Sequence, residues 1–257
     1  MEGDRGMAGT SPARAGREVE HGEWLAHGDP EAIWGWGTAA GRLRARRRAD
    51  VIAQGGRLAP GARVLEVGCG TGLFTALFAE SGATIVAVDI SGALLERARA
   101  RGLPPDRVGF LERRFEDCEL EGPFDAVIGS SVLHHLDLGP ALDRIRALLR
   151  PGGFLSFAEP NMLNPQVWLE RNVRSWFPYV SPDETAFVAR ALRRTLRAGG
   201  YAGVEVTPFD WLHPATPAAL IPLLSGVAGW LERVPVIREF AGSLAIRARR
   251  PTPSPTR

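Results

Sequence analysis

Lysine is missing altogether from this 257-residue chain, so all 31 basic side chains are arginines. Against 29 acidic residues they leave a formal net charge of only +2, and outside residues 42–48 they alternate with acids along the chain. A nucleic-acid binder concentrates positive charge on one face, so this pattern speaks against a nucleic-acid partner. The arginine bias, joined to much Ala, Gly and Pro, reflects the coding genome rather than a function. Cysteine is nearly as scarce. Cys69 and Cys118 cannot build a disulfide framework, and no Cys or His stands near them at metal-ligand spacing. A reducing cytoplasm and no metal are therefore expected. A membrane-spanning run is also lacking: residues 218–231 are apolar but broken by proline and too short to cross a bilayer. The first residues carry no apolar stretch behind their charges, so no signal peptide is expected.

What remains has the composition of a folded domain. The hydrophobic fraction is 45% and the charged fraction 23%, values that favour a globular chain with a substantial core over disorder. Residues 1–16 and 250–257, small, polar and proline-containing, are expected to be disordered tails. Between them, near-continuous apolar runs suited to strands fall at about 63–67, 84–88, 107–111, 126–129, 154–158, 204–207 and 243–248, with amphipathic stretches between most of them. That alternation predicts an α/β fold with a mostly parallel sheet covered on both faces.

The most informative segment is Glu66-Val67-Gly68-Cys69-Gly70-Thr71-Gly72, which ends the first strand and opens a helical pattern at Leu73. Glycines allow positive φ and let a ligand approach where a Cβ would clash. Asp89, closing the second strand 17 positions after Gly72 (89 − 72), can accept both ribose hydroxyls, so loop and acid together argue for a bound adenosine. A dinucleotide fingerprint would place its third glycine at position 73, and Leu73 stands there instead. The pyrophosphate reading loses ground accordingly.

This loop, with Val88-Asp89-Ile90-Ser91 after it, resembles the class I S-adenosylmethionine-dependent methyltransferases of the small-molecule type. So do residues 124–136, ending in Ser130-Ser131-Val132-Leu133-His134-His135-Leu136, and the segment Leu148-Leu149-Arg150-Pro151-Gly152-Gly153-Phe154. The resemblance spans roughly residues 63–159. It implies a Rossmann-like seven-stranded sheet whose last strand runs antiparallel, S-adenosyl-L-methionine as cofactor, and a single methyltransferase domain over 17–249. Within that domain, residues 17–60 would form an N-terminal lid and helix, 61–159 the cofactor-binding core, and 160–203 and 208–242 insertions that build the substrate pocket. A helix over residues 182–198, capped by Ser181 with Glu184 three places on, is predicted in the first insertion.

The resemblance also assigns roles. Gly68, Cys69, Gly70 and Gly72 would cradle the methionine part of the cofactor, Asp89 the ribose, and Ile90 one adenine face. Glu66 would order the loop or meet the ammonium, and Ser130 would lie at the end of the fourth strand beside the cofactor. At the adenine end many relatives carry Gly-Asp. Here Arg113-Arg114 stand in those places, so Glu116, next to Phe115, or a backbone carbonyl must accept the adenine amino hydrogen.

Methyl transfer to a hydroxyl needs a base, and imidazole is matched to neutral pH. His134 and His135 are the candidates, with His213 outside them and a purely structural role as the alternative for each. Glu159 and Asn161 orient substrate or cap a turn. The arginines of 42–48 form a solvated helix face, or one of them reaches the cofactor's carboxylate, or the run contacts RNA. The expected activity is methylation of oxygen, less readily nitrogen or carbon, on an apolar or aromatic metabolite. Weak membrane-surface contact through 218–231 with a lipid or prenylated-quinone substrate is one alternative, and a base or RNA methyltransferase a lesser one. The sequence leaves the oligomeric state open.

Overall fold

A computed structural model describes residues 12–177, 179–181 and 184–253. The elements run, in chain order, α1 (Pro12–Ala26), α2 (Pro30–Ile33), α3 (Ala39–Gly56), β1 (Arg63–Val67), α4 (Leu73–Ala79), β2 (Thr84–Asp89), α5 (Gly92–Ala100), β3 (Val108–Glu112), β4 (Phe124–Ser130), α6 (Leu138–Leu148) and β5 (Leu149–Pro160). There follow α7 (Pro165–Asn172), α8 (Ala189–Ala198), β6 (Ala202–Phe209), α9 (Ile221–Leu231) and β7 (Ser243–Arg249). The strands lie in one sheet of order β3-β2-β1-β4-β5-β7-β6, with β7 antiparallel to both of its neighbours. All seven strands expected from the sequence are present, as is the reversed last strand. Most of the N-terminal tail falls outside the described residues, but α1 already begins at Pro12, inside the segment through Gly16 expected to lack structure. Of the C-terminal tail, residues 254–257 lie outside the described residues.

Period-two alternation divides the core between the two faces of the sheet. Along β1, Val64 packs toward Ile52 of α3, Phe78 of α4 and Leu95 of α5. Its neighbour Leu65 faces the opposite layer, where Leu142 and Ile145 of α6 and Leu192 and Leu196 of α8 close over Val127 and Leu155. Both faces of the central strands are thus buried, which is why β1, β4 and β5 read as continuous apolar runs. The order reverses between β1 and β4, each parallel to the other. A crevice forms outside the carboxyl ends of strands at such a switch point.

The helix expected over 182–198 begins at Ala189. Residues 182 and 183 lie outside the described residues, and only half of the expected cap forms: Ser181 N–H donates to Glu184 Oε2 at 3.0 Å, but Glu184 N–H donates to the Ser181 carbonyl at 3.1 Å while Ser181 Oγ turns to Glu18. They close a turn rather than start a helix. Phe187 is held extended beside β5, its N–H donating to Pro160 O and its carbonyl accepting from Met162 N–H, and Arg171 bonds the Glu184 carboxylate. These long-range bonds outweigh local helix propensity.

Candidate active site

A cavity of about 590 Å³ opens at the carboxyl ends of the strands. Gly68, Cys69 and Gly70 line it from the β1–α4 turn, Asp89 and Ile90 from the end of β2, Phe115 and Glu116 from beyond β3, and Ser130 from the end of β4. The local geometry explains why these residues gather. Gly68 has φ +68°, and a Cβ there would come within 2.3 Å of Val132 Cγ2. The turn therefore folds tightly against the chain leaving β4. Gly70 N–H donates to Asp89 Oδ2 at 2.7 Å and Ser91 N–H to Oδ1 at 2.9 Å, so Asp89 ties the turn to the second strand. Above Gly70 a Cβ would meet only Trp34, at 3.7 Å, which leaves the turn open toward the cavity. Burial pushes the Asp89 carboxyl up, against the opposing backbone donors of Ser91 and Gly70.

Two of the expected cofactor residues do not reach the cavity wall. Glu66 is buried beneath the turn, and burial, with Asp89 nearby, pushes its carboxyl up to about 8. Among the described residues its Oε2 has no hydrogen-bond partner. Gly72 caps α4 at φ +72°, with a would-be Cβ 2.8 Å from Ala98 Cβ, so it serves helix packing. At the adenine end, Arg114 is drawn to Glu116 at 3.5 Å and Asp117 at 2.9 Å, while Glu116 remains on the cavity wall.

The two histidines part company. His134 is 2% exposed, away from the cavity, with Nδ1 2.6 Å from Glu159 Oε2 and Nε2 3.4 Å from Glu184 Oε1. Burial alone would lower its pKa, but the two carboxylates overcome this and hold it above the usual imidazole value. Glu159 also accepts Val132 N–H and Leu133 N–H, each at 2.9 Å, and these bonds with His134 hold its carboxyl low despite complete burial. Glu184, bonded by Arg171 at 2.8 Å, is brought down to about 2 by His134 and Arg171 against the effect of burial. His135, by contrast, lines the cavity, with Nδ1 3.1 Å from Glu18 Oε2. Ligand atoms of His134, His135 and Glu184 fall within 4.8 Å of one another, but the Arg171 guanidinium already supplies positive charge at Glu184.

Glu159 therefore orders the His134–His135 turn. Asn161 is likewise structural, its Nδ2 donating to Glu239 O and Ala241 O. His213 lines the cavity and accepts Ala215 N–H at 3.1 Å. The arginines of α3 do not form a solvated face as a set. Arg46 meets Glu80 at the surface, whereas Arg44 grips Asp210 and Arg47 grips Glu232. Arg48 is 3% exposed and donates to Ser130 Oγ, Ser131 Oγ, Ser243 Oγ and Ala158 O. Burial lowers its pKa to about 10, and no carboxylate among the described residues is in direct contact with it. A buried cation on the cavity wall, held by neutral oxygens, is a fitting partner for a carboxylate ligand. Sequence reasoning missed Glu18, which reaches the wall from α1 by a path that no local pattern records, whereas Trp34 and Trp36, between α2 and α3, reach it from the N-terminal segment expected to form a lid.

A sheet with this order, a glycine turn and an acid at its switch point define a class of nucleoside-cofactor enzymes, and comparison narrows it. A family model described as a methyltransferase domain matches residues 65–155. A ubiquinone biosynthesis O-methyltransferase of Nitrobacter winogradskyi is 31% identical over 183 residues, covering 65% of this chain and 69% of that protein. One of Bordetella avium is 29% identical over 170 residues, covering 60% and 69%. Among solved structures, the N-methyltransferase NodS of Bradyrhizobium japonicum WM9 in complex with S-adenosyl-L-homocysteine superposes with a TM-score of 0.63 at 18% identity, over 91% of this chain and 99% of that one. The chain belongs to the class I S-adenosylmethionine-dependent methyltransferases. It is a transferase that takes its methyl group from S-adenosylmethionine.

Proposed function

We propose that this methyltransferase modifies a hydroxyl oxygen of an apolar or aromatic small molecule. The observation that carries the reading is that His135 shares one cavity with the glycine turn and Asp89, while Leu25, Trp34, Trp36, Phe74 and Leu212 supply apolar wall. The cofactor supplies a methyl group on a cationic sulfur that leaves as a neutral thioether, so the leaving group calls for neither acid nor metal. Asp89 would hold the ribose, the backbone of Gly68 and Gly70 the methionine chain, Arg48 its carboxylate, Ile90 one face of the adenine and Glu116 its amino group. His135 would take the proton from the acceptor hydroxyl. Closure by α1 and the two insertions would exclude water from the cavity, and positioning would supply most of the rate.

Incubation of the purified chain with methyl-labelled cofactor and a panel of phenols, alcohols and amines tests this. Label on a phenol or alcohol, lost in His135→Gln, is expected. Label confined to amines would overturn it.

A second reading, a lipid or prenylated-quinone acceptor reached at a membrane surface, is favoured by one observation. On and beyond α9, Leu223, Trp230 and Val236 are 65%, 57% and 74% exposed. Such a patch suits the interface of a bilayer, although no helix among the described residues is long and apolar enough to cross one. Flotation with anionic liposomes should carry the chain upward if this holds.

A further inference from the structure

The residue that orients His135 comes from outside the cofactor core. Glu18 lies on α1, 117 positions before His135 (135 − 18), with one carboxylate oxygen hydrogen-bonded and the other beside the imidazole. Ser181 Oγ donates to Oε1 at 3.1 Å, while Oε2 lies 3.1 Å from His135 Nδ1, near enough for charge attraction but out of line for a hydrogen bond, so that Nδ1 is buried and unsatisfied among the described residues. Arg14, one turn earlier on α1, donates to His134 O, so the same helix is fastened to the turn that bears both histidines. Behind His135 stands the His134 ring, with centroids 4.2 Å apart, itself fixed between Glu159 and Glu184. The His135 ring thus has the Glu18 carboxylate beside Nδ1 and the His134 ring behind it, and Nε2 is the other nitrogen.

We propose that Glu18 is a positioning residue for the proton acceptor: it keeps the His135 proton on Nδ1 and so leaves the Nε2 lone pair free to receive the acceptor's proton. This rests on the reading of His135 as base. Imidazole carries one proton when neutral, and which nitrogen bears it is set by the partner of the other. A carboxylate 3.1 Å from Nδ1 favours the proton on that otherwise unsatisfied nitrogen, and a small rotation of the ring brings the two into line for the bond. Burial would raise the Glu18 carboxyl, but His135 first, then Ser181 and His21, hold it below its usual value, so it is an anion at neutral pH. Because Glu18 rides on α1 while His135 follows β4, the base is competent only with α1 docked. The lid that shuts out water would also complete the chemistry.

The test is nitrogen-15 NMR of histidine-labelled protein with S-adenosylhomocysteine bound. In the unaltered chain the His135 ring should show the Nδ1–H form. In Glu18→Ala it should revert to the Nε2–H form that free side chains favour. Glu18→Gln, whose amide oxygen can still accept from Nδ1, should keep the original form. Methyl transfer to whichever acceptor the panel yields should fall about 10²–10⁴-fold in Glu18→Ala, the range for a lost or misprotonated general base, and less than about tenfold in Glu18→Gln. An unchanged ring spectrum in Glu18→Ala overturns the proposal. If Glu18→Ala does not fold, as judged by loss of S-adenosylhomocysteine binding in calorimetry, Ser181→Ala replaces it and should shift the same signals part of the way; no shift is equally fatal. Should His135→Gln retain full activity, the assignment of the base fails instead, whatever the ring spectrum shows.

Discussion

Replacing Glu159 by alanine should be among the most damaging single changes outside the cofactor turn. The side chain is 0% exposed and accepts three bonds, from Val132 N–H, Leu133 N–H and His134 Nδ1. Breaking a buried charge pair by removing one partner costs about 3–5 kcal/mol, and each stranded backbone donor adds about 1 kcal/mol or more where water cannot reach it. The expected loss is about 5 kcal/mol, a large part of the roughly 5–15 kcal/mol that holds a domain together. Glu159→Gln should cost only about 1–2 kcal/mol, since one oxygen still serves the two N–H groups and the neutral ring can turn its lone pair to the amide. Urea denaturation followed by circular dichroism reads both. The pairing also has a pH signature. His134 has a folded pKa raised above the ordinary imidazole value by the two carboxylates, so its stabilising contribution is complete below that ordinary value and declines as pH rises through the folded one. Glu159→Gln should flatten that decline. A Glu159→Ala protein within about 1 kcal/mol of the original would refute the reasoning.

Other expectations follow from the same geometry. Gly68→Val places a branched side chain at φ +68° where a Cβ would already lie 2.3 Å from Val132, and S-adenosylhomocysteine binding measured by calorimetry should vanish. Arg48→Met should weaken S-adenosylhomocysteine at least about tenfold, the equivalent of one charge-assisted bond of about 1.5–3 kcal/mol. Methylthioadenosine, which lacks the amino-acid carboxylate, should bind both proteins alike; equal weakening of the two ligands would remove Arg48 from the carboxylate site. Leu223→Ser with Trp230→Ser should abolish any flotation with liposomes while leaving methyl transfer to a water-soluble acceptor unchanged.

The sheet was legible in the sequence because its strands are buried on both faces and punctuated by glycine. Val64 and Leu65, pointing to opposite layers, are both apolar for that reason. The cofactor turn was legible because its conformation demands glycine at Gly68 and Gly70. Local pattern misled where long-range bonds decided the outcome. Ser181 and Glu184 have the spacing of a helix cap, yet Arg171 and His134 claim the Glu184 carboxylate and Phe187 is held along β5. The run at 42–48 has the composition of a solvated face, but the acids that meet Arg44 and Arg47 lie 166 and 185 positions away. His134 and His135 are indistinguishable as adjacent letters. Only their burial and partners separate an anchor from a group that meets the cavity.

The grip of α3 on the second insertion bears on how the enzyme could open. Arg44 and Arg47 each hold a carboxylate through two nitrogens, at Asp210 and Glu232, and Glu232 in turn accepts the Asp210 N–H. That side of the roof is riveted to the helix that precedes the first strand, by planar groups that stay charged throughout the working range of proteins. Traffic of cofactor and acceptor would then pass elsewhere than by the riveted edge.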